Sequence, residues 1–88
     1  MYTIICTTTP NNRAIIDNAF GLGSFINEAG QVEVLHSEQT IDAAKSFLKW
    51  RAHRYAAINA GFNLSDALTE IESGALTIAG VTVTIQPL

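Results

Sequence analysis

The spacing of apolar residues changes repeatedly along the chain, and each change marks an element. Residues 2–8 (YTIICTT) form a β-branched, apolar run that predicts a strand. Ile4 and Ile5 point to opposite faces, so this strand is expected to be covered on both sides and central in its sheet. A helix start follows, with Thr9 as N-cap and Pro10 at the first helical position, where its missing N–H does no harm. Ile15, Ile16 and Ala19 give that helix an apolar stripe. Gly21 can end it in a left-handed conformation, with Gly21-Leu22-Gly23 as a flexible joint.

Two stretches alternate with period two. Residues 24–28 and 31–36 (SFINE and QVEVLH) flank Ala29-Gly30 and read as a β-hairpin. Near the C-terminus, LTIAGVTVTI gives a second hairpin across Ala79-Gly80, in which Ile78 pairs with Val81 and Leu76 with Val83. Leu76, Ile78, Val81, Val83 and Ile85 then share one face, and Thr77, Thr82 and Thr84 share the other. A slip of one residue would move the whole apolar set into water, so the register is expected to be firm. The Thr-rich face reads as a solvated strand face, or as a surface that adds to a partner or to a second copy.

Between the hairpins lie two helices, one from Thr40 to Gly61 and one from Asn63 or Ser65 to Gly74, joined too tightly for anything but a helical hairpin or corner. The order β-α-β-β-α-α-β-β implies an α+β fold: one domain over residues 1–88, with a mostly antiparallel five-stranded sheet and helices on one face.

The long helix has an apolar sector of about 200°, wider than the roughly 100° needed to sit on one sheet. Phe47, Ala44, Tyr55, Leu48 and Ile58 lie in it, and Arg51 points into its middle. Lys45, Lys49 and His53 make a separate solvated stripe. The following helix is the first candidate to cover the surplus, with Glu70 or Glu72 reaching Arg51 or Arg54 as an intrachain ion pair. The alternative is that Trp50, Arg51, Arg54 and Tyr55 belong to a partner-binding surface, being residue types enriched at binding hot spots.

Charge sharpens that picture. Of the 88 residues 48% are hydrophobic and 15% charged, with a net charge of −3, which describes a folded, mildly acidic domain. Residues 43–60 carry four of the five basic residues and no acid, whereas all eight acids lie elsewhere. Nucleic-acid binding through the basic helix is therefore the rival reading, limited by few cations and the absence of a second basic segment.

Catalytic chemistry finds little to work with. Cys6, the only cysteine, sits in an apolar strand and reads as core rather than as a nucleophile for His36 or His53. His36 ends a strand and reads as a hydrogen-bonded structural histidine. No zinc, EF-hand or phosphate-loop spacing occurs, so no metal or cofactor is expected. There is no apolar run of membrane-spanning length and no leader, so a cytoplasmic protein with no membrane partner is expected.

These features lead to the expectation of a non-enzymatic domain that binds another macromolecule, a protein with an acidic surface. A small accessory, inhibitor or adaptor protein of a virus or mobile element would fit, as would a minor assembly subunit or a homodimer. The expected partner-binding residues are Lys45, Lys49, Trp50, Arg51, Arg54 and Tyr55, with Trp50, Arg51, Arg54 and Tyr55 as anchors and the two lysines as electrostatic steering.

Overall fold

The computed structural model describes residues 1–6, 8 and 12–88. Eight elements run in the expected order: β1 (Tyr2–Cys6), α1 (Arg13–Phe20), β2 (Ser24–Ile26), β3 (Val32–Glu38), α2 (Ile41–Ile58), α3 (Leu64–Glu72), β4 (Ala75–Ile78) and β5 (Val81–Pro87). The five strands form one antiparallel sheet in the order β2-β3-β1-β5-β4, which confirms the α+β class and puts β1 at the centre.

The second hairpin has the register its alternation predicts, with Leu76 opposite Val83 and Ile78 opposite Val81. Leu76, Ile78, Val81 and Val83 are buried and Ile85 is partly so. Ala79 and Gly80 make the turn with φ of 52° and 77°, the pair of positive values that a type I′ turn requires. Ala79 adopts this left-handed conformation without glycine's freedom.

The first hairpin is looser than the sequence implies. Its strands close at Ile26 opposite Val32, and residues 27–31 form the loop. Asn27 Oδ1 accepts from the Gln31 N–H (2.9 Å), and the Gly30 N–H donates to the Asn27 carbonyl (2.9 Å), with Gly30 at φ 78°. The side chain that pins its own turn replaces the two-residue joint expected at Ala29-Gly30.

Helices lie on one face only. Ile4, Cys6, Val32, Val34, Leu76, Ile78 and Val83 meet Ile16, Phe20, Phe47, Leu48, Ala67 and Ile71 in a single core. On the opposite face Leu35 and Phe25 are exposed, and no helix of the described residues covers them. β1 itself is nevertheless buried on both faces, as its central place predicts, with Ile4 and Cys6 on the helix side and Thr3 and Ile5 on the other. Ile5 is buried by its position in the central strand, between Glu33 and Thr84 on the neighbouring strands.

Helix ends follow local chemistry. The Thr40 hydroxyl accepts from the Ala43 N–H (3.1 Å), and Asn63 Oδ1 from the Asp66 N–H (3.0 Å), so α2 and α3 both start at side-chain caps. α2 stops at Ile58 rather than Gly61, because Asn59 leaves helical geometry and turns its side-chain amide back to the Tyr55 carbonyl (3.1 Å). Gly21, at φ 66°, caps α1 as expected. Thr9 and Pro10 lie outside the described residues.

The Ala79 turn makes a direct prediction. Asn tolerates the left-handed region better than Ala, so Ala79→Asn should raise the unfolding free energy by about 1 kcal/mol, read from the urea midpoint at unchanged m-value.

Candidate functional site

The arc of α2 that becomes buried runs through Ala44, Phe47, Leu48, Arg51 and Ala52. It is about 140° wide, narrower than the apolar sector read from the sequence. α3 flanks one side of this arc, where Lys49 pairs with Glu72 and the Lys45 ammonium donates to the Glu72 carbonyl (2.9 Å). Lys45 and Lys49 are thus partly buried tethers between the two helices rather than a freely solvated stripe. The Lys49 contact also holds the Glu72 carboxyl below the usual carboxylate range. His53 is exposed, as expected.

Among the described residues nothing covers the other edge of the sector. Trp50 is 53% exposed and Ile58 78%, and Arg54, one turn from each, is exposed too. Ile15 of α1, part of the apolar stripe read from sequence, is 41% exposed and extends this surface across to the neighbouring helix. Between the two helices runs a groove of about 370 Å³ lined by Ile15, Ala19 and Gly21 of the α1 side, Arg54 and Ile58 of α2, and Ala79 of the last hairpin. Tyr55 also lines it, and is held edge-on against Phe62 with ring centres 5.0 Å apart. The contribution of Ile15 and the groove were not legible in the sequence, since both depend on where α1 stops beside α2.

Arg51 lies in the buried arc as its projection predicts, at 8% exposure. Neither glutamate reaches it. Glu72 is drawn to Lys49, and Glu70 Oε1 instead accepts from the Thr77 N–H on the outer strand β4 (3.3 Å). The expected Glu70 or Glu72 ion pair with Arg51 or Arg54 therefore does not form, because the α3–β4 corner gives both acids nearer donors. What covers Arg51 is aromatic. Its guanidinium carbon lies 4.2 Å from the Trp50 ring centre and 5.4 Å from that of Phe47. Its Nη1 approaches the end of α1, only 3.3 Å from where a Cβ on Gly21 would stand. Nε is enclosed without a hydrogen-bond partner. Burial, and secondarily the charge of Arg54, lower the Arg51 pKa.

The remaining reactive groups are occupied or shielded. His36 stacks on Phe47 at 3.7 Å and its Nε2 hydrogen-bonds Glu38 Oε1 at 2.8 Å, the structural role expected of it. Cys6 is buried between Val32 and Val83, and desolvation, with a smaller effect from Asp17, pushes its thiol up to about 11. Among the described residues no cluster of three histidine, cysteine or acidic side chains is arranged to hold a metal, and no helix is long and apolar enough to cross a membrane. No protein-family model matches the chain, and comparison with curated proteins and with solved structures gives no match either.

Two predictions follow the two buried groups. Leaving Arg51 Nε enclosed without a hydrogen bond costs about 1–3 kcal/mol, against roughly 1–2 kcal/mol regained from each aromatic face. The terms nearly cancel, so Arg51→Met should change stability by no more than about 1 kcal/mol in urea unfolding. A loss of 3 kcal/mol or more would mean that Arg51 is held by a strong intrachain partner.

For Cys6, the folded state keeps a proton that the unfolded chain releases at lower pH. Its contribution is present below the ordinary thiol pKa and is lost as pH rises toward about 11. The slope is at most ~1.4 kcal/mol per pH unit, measurable as the difference in alkaline unfolding between the protein and Cys6→Ala. At pH 8 the native thiol should resist a disulfide reagent that labels it at once in urea.

Proposed function

We propose that this protein is a non-enzymatic binding domain that occludes a surface of a protein partner with the exposed edge of α2. The observation that carries this reading is the uncovered line Trp50, Arg54 and Ile58, spaced at i, i+4 and i+8 beside an apolar groove. Large apolar area next to an exposed guanidinium is the composition of a binding hot spot, and a small domain gains nothing in stability by leaving it in water. Tyr55 supports it from the groove side. Arg51 stands behind it and supplies charge rather than contact area. Lys45 and Lys49, tied to Glu72, have a minor steering role at most.

The same tethering weakens the nucleic-acid reading, because the two lysines no longer offer free cations to a phosphate backbone. An accessory, inhibitor or adaptor role in the cytoplasm, including one encoded by a virus or mobile element, is compatible with such a surface.

The partner would be captured from the native host and its affinity measured by calorimetry with single variants. Trp50→Ala and Arg54→Glu, both at exposed positions, should each weaken binding by roughly 2 kcal/mol or more while circular dichroism stays unchanged. Affinity should persist at moderate salt. Folded variants that bind as tightly as the parent chain would remove α2 from the interface.

A further inference from the structure

Arg51 and Arg54 sit one helical turn apart, and among the described residues neither has a carboxylate partner. Arg51 is more than nine-tenths buried by surface area, with Nε enclosed and unpaired, so its charge is less screened than that of a surface arginine. The carbonyls at the end of α1 lend partial negative charge near Gly21, but no hydrogen bond joins them to Arg51. The surplus positive charge therefore stands at the Gly21 end of the groove, with Arg54 on its rim and Ile15, Ala19, Phe20, Tyr55 and Ile58 along its length.

We propose that the groove takes an apolar side chain from an acidic segment of a protein partner, with an adjacent partner carboxylate on Arg54 and the buried charge of Arg51 behind it. This rests on the reading of α2 as the partner-binding edge and adds the chemistry that the edge selects. Arg54 can offer the two parallel N–H groups that match a carboxylate. The arriving negative charge also relieves the repulsion between the two guanidiniums, a gain that a neutral or basic segment cannot provide. The apolar half of the motif fills a cleft whose walls are already formed, so little ordering is needed on this side of the interface.

The test is selection of displayed random 12-residue peptides on the intact protein, followed by affinity measurement of the selected sequences as synthetic peptides. Enrichment of Asp or Glu next to Leu, Phe or Trp is expected. Those peptides should bind Arg54→Glu and Arg51→Met at least about tenfold more weakly, and Ile58→Ser should relax the apolar preference. Because Arg54 is exposed, its variant separates lost binding from lost folding. Selection on Arg54→Glu should enrich basic residues instead.

Peptides that need Trp50 but show no preference for acids would overturn this inference and leave the protein-binding edge standing. Failure to select any peptide, or selection of peptides indifferent to Trp50→Ala as well, would overturn both. A mass near twice 9.5 kDa in sedimentation that Arg54→Glu abolishes would put a second copy in the groove and overturn the separate partner.

Discussion

The constraint on which this structure turns is the apolar width of α2. A helix of 18 residues crosses the inner face of the sheet, and its apolar sector is wider than one sheet can cover. Two short helices must do the rest. α3 succeeds on its side because it follows α2 immediately and can be tied to it through Lys45, Lys49 and Glu72. α1 has only eight residues and ends at Gly21, so it covers Phe47 and Arg51 but stops short of Trp50, Arg54 and Ile58. Among the described residues no further element lies over that edge of α2.

Polar groups are distributed by the same geometry. Arg13 and Asp17, one turn apart on α1, clasp Ser24: Arg13 donates to its hydroxyl and carbonyl oxygens, and the Ser24 hydroxyl donates to Asp17 (2.7 Å). Glu33 gathers Thr3 (2.9 Å) and Asn27 (3.2 Å) on the outer sheet face. Glu70 occupies a backbone donor of the outer strand β4, which also makes that edge a poorer template for pairing with another chain. Asp17, Glu33 and Glu70 are thus each taken up by donors of a neighbouring element. Arg51 is left with aromatic rings, whose attraction offsets charge burial but cannot satisfy N–H directionality.

Local signals in the sequence translated well into structure. The alternation around Ala79-Gly80 gave the hairpin register to the residue, and the Thr40 and Asn63 caps lie where side-chain oxygens precede apolar helical spacing. The projection of α2 placed Arg51 on the buried side. What could not be read were outcomes decided between elements. Between Glu33 and Ser37 strand β3 advances four residues while β1 advances two, an irregularity with no marker residue. Whether Glu70 faces α2 or β4 depends on the angle of a corner at Gly74, and whether Ile15 is core depends on how far α1 overlaps α2. Sequence period reports which face is apolar; it does not report how far a neighbour extends over it.

Gly21 joins these threads. Its φ of 66° ends α1, and its missing Cβ leaves room for the Arg51 guanidinium beneath that end. A side chain there would meet both the backbone strain and the nitrogen at 3.3 Å, so helix termination and burial of the charge depend on one residue. Energetically the arrangement is close to neutral, because aromatic contact roughly cancels incomplete hydrogen bonding. A methionine in the same place would fill the space without carrying a charge. If Arg51→Met is as close to neutral as expected, arginine there adds little to the fold, and its positive charge stands at one end of the apolar groove. Under the proposed function, that charge would act on a partner approaching the groove rather than on groups the chain itself places around it.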